Sequence, residues 1–152
     1  YLRVEQQDPE YLPETIIPLQ RCHRALRSDD AFLDFLSGVV QRHGGIKAQL
    51  LRADLVAARS GDEAAMGYLT AELSSRPSVP GINRLLELIM RRVGDPVRGN
   101  LAVVRDAAAQ MEQDRPVYRC THCGFAARLL HWQCPSCKRW NTVKPVHGVE
   151  FD

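Results

Sequence analysis

Residues 118–140 read YRCTHCGFAARLLHWQCPSCKRW and hold four of the five cysteines in this chain of 152 residues. The four cysteines form two Cys-x-x-Cys pairs that are separated by ten residues. A gap of two residues lets the chain curl so that both sulfur atoms of a pair face one centre, and two such pairs supply four soft thiolates in a tetrahedron. The spacing therefore predicts one site for zinc, or for iron in a rubredoxin-like centre. Its ligands would be Cys120, Cys123, Cys134 and Cys137.

Other uses of the cysteines and nearby histidines remain open at the level of sequence. Four cysteines can also form disulfides, as in small secreted domains, but the chain has no signal-peptide pattern and otherwise has the composition of a cytosolic helical protein. His122 and His131 could act as substitute ligands, although four thiolates already complete a closed structural site. The fifth cysteine, Cys22, lies in a helical pattern far from the others, and we predict a buried, inert thiol there.

The overall composition is that of a soluble globular protein, with 45% hydrophobic and 25% charged residues. The formal net charge of +2 is too small to indicate a nucleic-acid-binding protein by itself. No apolar run approaches the roughly 20 residues that a membrane-spanning helix needs. Because the sequence starts in a polar stretch and without a methionine, we interpret it as a soluble fragment of a longer protein.

Apolar residues at steps of three and four predict six amphipathic helices before the cysteine-rich segment. The predicted helices cover residues 10–27, 28–43, 46–59, 62–76, 80–93 and 95–111. Helix-breaking residues separate them, such as Gly44 and Gly45 after the second helix and Pro77 after the fourth. Within the first helix, Pro18 predicts a kink or a later start.

The helices follow a repeat of about 33 residues. An aspartate opens every second helix at this interval, at Asp29, Asp62 and Asp95. A period near 34 residues that holds two antiparallel helices is typical of tetratricopeptide-type repeats, and Ala65, Leu69 and Pro77 stand at the consensus spacing of the second helix. The alternative is an irregular six-helix bundle. The tetratricopeptide-type array, in contrast to the bundle, would bind a segment of another protein on its concave face.

The sequence shows no sign of a catalytic site. It contains neither a phosphate-binding loop nor a His-Glu-x-x-His motif, and no pair of carboxylates is spaced for acid–base chemistry. We therefore predict a mainly α binding protein rather than an enzyme. It would consist of tetratricopeptide-like helical repeats over residues 1–114 and a small rubredoxin-like zinc ribbon with short β-strands over residues 115–152.

Only residues 115–119 join the last predicted helix to the first cysteine. So short a joint cannot act as a free tether. We predict that the metal module packs on the final helix pair. Four aromatic residues would supply its small core or its contact surface, namely Tyr118, Phe125, Trp132 and Trp140.

Three segments, YRCTHCGF, HWQCPSCKRW and NTVKPVHG, follow divergent tetratricopeptide-type repeats and together resemble the C-terminal part of the lipopolysaccharide assembly protein B family. The resemblance implies a rubredoxin-type metal domain with the four cysteines as ligands. It also implies a protein held at the cytoplasmic face of the bacterial inner membrane by an N-terminal helix, which is absent from this sequence. Proteins of that family promote degradation of the deacetylase LpxC by the membrane protease FtsH. The resemblance thus implies a non-enzymatic adaptor that regulates lipopolysaccharide biosynthesis, and self-association of the chain stays open.

Two rival functions would use the same cysteines. An electron-transfer rubredoxin would hold iron in place of zinc and would be coloured and redox-active. A nucleic-acid-binding zinc ribbon would contact phosphates through basic side chains, although we do not expect nucleic acid as a partner. The candidate basic residues are Arg128, Lys138, Arg139 and Lys144.

Overall fold

The computed structural model describes residues 1–113 and 115–146, so residue 114 of the predicted repeat region and residues 147–152 of the predicted metal module lie outside the described residues. The described part contains seven α-helices: α1 Val4–Gln7, α2 Leu12–Ala25, α3 Asp29–His43, α4 Ile46–Ser60, α5 Asp62–Ser75, α6 Val79–Met90 and α7 Asp95–Gln113. A 3-10 turn at Pro9–Tyr11 joins α1 to α2. Three strands follow the helices: β1 Tyr118–Cys120, β2 Ala126–Ala127 and β3 Val143–Pro145. The fold is therefore mainly α with a small C-terminal sheet, as predicted.

Residues that break helices set the limits of α3 to α5. Gly44 ends α3 with a φ of 70°, a backbone conformation that a side chain with a Cβ atom rarely adopts. The breaks predicted at Gly44 and Gly45, at Gly61 and at Pro77 all fall between helices. The first helix differs from its prediction, because residues 9–11 form a 3-10 turn and α2 then continues through Pro18.

The helices α2 to α7 form an array of three antiparallel pairs. Each helix packs on the next one along the chain, and the first helices of the pairs also contact each other, α2 with α4 and α4 with α6. This side-by-side contact of first helices is the arrangement of a tetratricopeptide-like array rather than of an irregular bundle. Ala65 and Leu69, which the repeat spacing singled out, are both buried between the pairs.

The prediction of a buried Cys22 is wrong, because this residue is exposed. The buried stripe of α2 passes through Ile16 and Leu19 and continues to His23, whose ring centroid lies 5.2 Å from that of Phe32 in α3. Cys22 precedes His23 by one residue, which rotates its side chain by about 100° away from the stripe. The exposure of Cys22 is therefore determined by its angular position around the helix and not by the apolar character of its side chain.

The three strands form an antiparallel sheet in the order β2–β1–β3. On the central strand, Tyr118 and Cys120 are buried while Arg119 between them is exposed, as the alternation of side chains along a strand requires. Tyr118 and Cys120 form the core of the module together with Cys134 and Val143. The core of the module therefore brings Cys120, from the first cysteine pair, together with Cys134, from the second pair.

The metal module packs against the beginning of the chain, which corrects the prediction that it packs on the final helix pair. Strand β3 contacts the 3-10 turn, and Lys144 Nζ lies 3.1 Å from Asp8 Oδ2 and 3.0 Å from Glu10 Oε2. Residues 115–146 include six basic residues and no acidic residue, so an acidic segment is a favourable neighbour for the module. Charge complementarity therefore favours the observed packing.

Aromatic side chains complete this contact between the module and the first turn. The hydroxyl of Tyr11 donates to Asn141 Oδ1 over 2.7 Å, and the ring of Tyr11 lies 5.2 Å from that of Trp132. The ammonium group of Lys144 lies 4.4 Å from the centroid of the same Tyr11 ring, within the range of a cation–π interaction. Of the four aromatic residues named from the sequence, Trp140 is the most exposed, with 69% of its surface accessible.

Candidate metal centre

The two Cys-x-x-Cys pairs meet at one point of the module. The four Sγ atoms of Cys120, Cys123, Cys134 and Cys137 all lie within 4.8 Å of one another. The distance from Cys120 Sγ to Cys137 Sγ is 3.8 Å, and that from Cys123 Sγ to Cys134 Sγ is 3.7 Å. A tetrahedral zinc ion with Zn–S bonds of about 2.3 Å requires edges of about 3.8 Å between sulfur atoms. These two distances match the edges of such a tetrahedron, and all four sulfur atoms lie close enough together to surround one ion.

The same distances exclude disulfide bonds in this structure. A disulfide joins its sulfur atoms at about 2.05 Å, well below the separations between these cysteines. All five cysteines of the chain have free sulfur atoms. The arrangement of the four cysteines thus fits a metal ion and does not fit covalent pairing.

Each Cys-x-x-Cys pair sits in the same kind of tight turn. The amide of Gly124 donates to the carbonyl of Cys120 over 2.9 Å, and the amide of Lys138 donates to the carbonyl of Cys134 over the same distance. The residue after the second cysteine adopts a positive φ in both turns, 74° at Gly124 and 60° at Lys138. Glycine favours this conformation at residue 124, whereas lysine at residue 138 gives no such indication.

Backbone hydrogen bonds hold the segments around the two turns together. The amide of Thr121 in the first turn donates over 2.7 Å to the carbonyl of Thr142, which follows the second turn. The amide of Asn141 donates over 2.8 Å to the carbonyl of Trp132, which joins the two ends of the second turn. The Sγ atom of Cys120 also lies 3.3 Å from Thr142 Oγ1. The side chain of Thr142 therefore contacts the predicted ligand Cys120 directly. No motif spacing in the sequence indicates this role for Thr142.

The environment favours thiolates at the first pair. The side-chain hydrogen bond with Thr142 lowers the pKa of Cys120 to about 6, and the backbone hydrogen bond from Phe125 lowers the pKa of Cys123. At Cys137 the backbone hydrogen bond from Arg139 acts in the same direction, but burial and the neighbouring thiols outweigh it and raise the pKa to about 11. Four negative charges at this distance repel one another, so a cation is required before all four groups can ionise.

The histidines do not belong to the centre. Among the described residues, the set of side chains that could hold a metal ion consists of the four cysteines alone. The ring of His131 packs edge-on against Phe125 with centroids 6.2 Å apart, and His122 is exposed. Cys120 and Cys134 are buried, Cys137 is half-buried and Cys123 is exposed, so solvent reaches the centre from one side.

One of the four basic residues named for a nucleic-acid-binding role is already engaged. Lys144 pairs with Asp8 and Glu10 at the contact between the module and the first turn. Only 17% of its side-chain surface is exposed. Lys144 is therefore not free to contact phosphates, which weakens the nucleic-acid alternative.

Comparison with known proteins agrees with this geometry. The family model of the LapB zinc ribbon, described as a rubredoxin metal binding domain, matches residues 118–145. The chain is 36% identical over 149 residues to lipopolysaccharide assembly protein B of Escherichia coli strain K12, and 31% identical over 152 residues to that of Haemophilus influenzae. The chain is thus homologous to lipopolysaccharide assembly protein B over nearly its whole length. Its four cysteines form a metal-binding site in a rubredoxin-like ribbon.

The two matches cover 97% and 98% of the chain but only 38% of the length of each relative. The similarity therefore extends over the helix pairs and the metal module, which together span less than half the length of those relatives. None of the described helices combines the length and apolar character that crossing a membrane requires.

Proposed function

We propose that this chain is the partner-binding part of a non-enzymatic adaptor that controls lipopolysaccharide biosynthesis. In this role it would present the deacetylase LpxC to the membrane protease FtsH, at the cytoplasmic face of the bacterial inner membrane. Similarity to lipopolysaccharide assembly protein B supports the biological setting. The closed four-sulfur centre supports the absence of catalysis, because a structural site with four protein ligands leaves no open position for a substrate.

We further propose that Cys120, Cys123, Cys134 and Cys137 each contribute a thiolate to one zinc ion, with iron as the alternative metal. A bound ion of this kind contributes folding free energy on the order of 10 kcal/mol to a small module. A module of about 30 residues cannot bury enough apolar surface to fold alone, so it depends on this contribution. The role of the site is then to maintain the shape of residues 115–146.

We propose that the two domains predicted from sequence, residues 1–114 and 115–152, function together because they pack on each other. The module contacts residues 8–14, which lead directly into the first helix of the array. We propose that the metal-loaded module and the array act as one rigid surface for the client. Rigid, preorganised surfaces lose less conformational entropy on binding and therefore bind more tightly.

A comparison of two cysteine variants tests this function. Cys134→Ser removes a buried sulfur atom from the centre, whereas Cys22→Ser changes an exposed cysteine outside it. In bacteria that depend on the full-length protein, we expect LpxC to accumulate with Cys134→Ser and to stay at its normal level with Cys22→Ser, as measured by immunoblot after protein synthesis is blocked. Normal LpxC turnover in cells that contain only the Cys134→Ser protein would refute the proposed role of the module.

Binding and metal identity need separate measurements. Immobilised chain should retain purified LpxC or the cytoplasmic part of FtsH, and the Cys134→Ser chain should retain less of either. Elemental analysis of the purified chain should give one zinc per chain. A visible absorption band and a reversible redox wave would instead indicate iron and favour an electron carrier.

A further inference from the structure

The last helix of the array, α7, carries an apolar stripe on its outer side. The stripe consists of Val97, Asn100, Val104, Ala107 and Met111, and all five residues are exposed. Their spacing alternates between three and four residues, which is the spacing of the seam between two helices of a coiled coil. Val103 lies beside the stripe and is 69% exposed, while Val104 and Met111 within it are 54% and 67% exposed.

The opposite side of α7 already has its partner. The half-buried residues on that side are Ala102, Arg105 and Ala109, and α7 packs against α6. The guanidinium group of Arg98 donates to the carbonyls of Met90 and Val93 at the end of α6, both over 3.0 Å. The stripe is therefore not the face by which α7 joins its own array.

The position of α7 in the array explains why the stripe has no cover within the described chain. The second helices of the first two pairs, α3 and α5, are each covered on the far side by the first helix of the next pair. After α7 the described chain continues into the metal module, which packs at the other end of the array on residues 8–14. A terminal helix of a repeat array normally has a polar outer face, and α7 departs from this rule.

We propose that the stripe pairs with the same stripe of a second copy of this chain, with the two α7 helices parallel. The charges support self-pairing, because no charged residue stands in the stripe or at the flanking positions 101, 103, 108 and 110. Two copies can therefore approach without bringing like charges together. The charged side chains of this segment point elsewhere: Arg98 is bound to α6, and Arg105 pairs with Asp106 at 2.6 Å.

The single polar residue of the stripe selects the parallel orientation. In a parallel pair that overlaps the whole stripe, Asn100 of one copy faces Asn100 of the other, and the two amides can satisfy each other. In an antiparallel pair with the same overlap, Asn100 would face the apolar side chain of Ala107, and against an apolar helix of another protein it would also lack a polar partner. A buried polar residue within a helical seam is known to specify register and partner in this way.

The size of the stripe determines how strong the pairing is. Residues 97–111 extend over about 21 Å of helix. A single pair of helices of this length buries less than the roughly 800 Å² per partner of a standard stable interface. We therefore expect a dimer that dissociates on dilution rather than a permanent one.

Sedimentation equilibrium of the zinc-loaded chain over a wide range of concentration provides the first test. The average mass should rise from 17.1 kDa towards twice that value as concentration increases. Val104→Glu should keep the mass at that of one chain. The matched control is Gly99→Glu, which adds the same charge five residues away and outside the stripe, at an exposed site where a Cβ atom meets nothing within 4 Å. Gly99→Glu should dimerise as the unchanged chain does.

Cysteine crosslinking tests the orientation and does not depend on the folding of Val104→Glu. Ala107→Cys should form a disulfide-linked dimer on mild oxidation, because only parallel pairing brings the two copies of residue 107 together. Gly99→Cys, which carries the same background of cysteines, should not. A folded chain that stays monomeric at all concentrations would overturn the proposal, as would a dimer that survives Val104→Glu, open-ended assembly, or equal crosslinking by the two cysteine variants.

Discussion

The hydroxyl group of Tyr118 donates a hydrogen bond of 2.5 Å to Oε1 of Glu14, although the two residues are 104 positions apart in the sequence. Glu14 also accepts from Lys47 Nζ over 2.9 Å, so the bond links the metal module to α2 and to the start of α4. Burial raises the pKa of Tyr118, and the hydrogen bond to Glu14 raises it further. Burial also raises the pKa of Glu14, but the hydrogen bonds from Tyr118 and Lys47 outweigh it and lower the pKa overall. A neutral tyrosine and an ionised glutamate are therefore the forms that the contact stabilises.

Tyr118→Phe should weaken the attachment of the module to the array. The phenylalanine ring keeps the buried apolar part of Tyr118 and loses only the hydrogen bond to the carboxylate, which costs about 1–3 kcal/mol. Urea unfolding of the zinc-loaded chain should show this loss. Tyr1→Phe is the control, because Tyr1 is 65% exposed and should give no measurable change. Equal stability of the two variants would mean that the bond to Glu14 contributes nothing.

Glu5 should contribute to stability only above moderately acidic pH. Burial raises the pKa of Glu5, but hydrogen bonds from Arg42 and His43 outweigh it and lower the pKa below that of the unfolded chain. The contribution is therefore fully present above the unfolded pKa and is lost as the pH falls through the lower folded value. Glu5→Gln should cost roughly 1 kcal/mol at neutral pH, and its difference from the unchanged chain should shrink in acid.

Chemical unfolding at several pH values measures this difference. Glu63→Gln serves as control, because the side chain of Glu63 is 83% exposed and its variant should track the unchanged chain at every pH. A Glu5→Gln difference that stays constant as the medium becomes acidic would contradict the assigned role of the carboxylate.

The two cysteine turns should respond in opposite ways to a change at the residue with positive φ. Gly124→Ala forces a side chain into the left-handed region and should cost about 1–2 kcal/mol. Because metal binding and folding of the module are coupled, this cost should appear as a roughly tenfold loss of zinc affinity. Lys138→Gly relieves the same strain in the second turn and should keep or increase the affinity.

Competition with a chromophoric chelator measures these affinities. Lys138→Ala is the matched control, since it removes the lysine charge but keeps the Cβ atom. If Lys138→Ala and Lys138→Gly changed the zinc affinity equally, the charge rather than the backbone would be responsible.

Thr142→Val should weaken zinc binding although Thr142 is not a ligand. The substitution keeps the shape of the side chain and removes the hydroxyl group that lies 3.3 Å from Cys120 Sγ. Loss of a hydrogen bond to a metal ligand commonly costs 10–100-fold in affinity, so we expect an effect of about that size. Thr142→Ser keeps the hydroxyl and should bind zinc nearly as well as the unchanged chain. The same chelator competition decides between these outcomes, and an equal loss in both variants would point to packing instead.

Several features were predictable because they depend on neighbours in sequence. The breaks at Gly44 and Gly61 follow from local backbone preferences, and the burial of Ala65 and Leu69 follows from the repeat spacing. Other features were not predicted, because they depend on the exact position of one residue in a helix or turn. One step along α2 separates half-buried His23, which packs on Phe32, from exposed Cys22. Lys138 adopts a positive φ that its residue type does not indicate.

By itself the sequence determined the class of the fold, the number of helix pairs and the pattern of two identical cysteine pairs, because each of these arises from residues a few positions apart. Only the tertiary structure decided where the metal module lies and which residues support it. The contacts of Tyr118 with Glu14 and of Lys144 with Asp8 join positions that are 104 and 136 residues apart. Neither sequence periodicity nor local backbone preference predicts such a contact. The charges and rings that form it come together only after the array has folded.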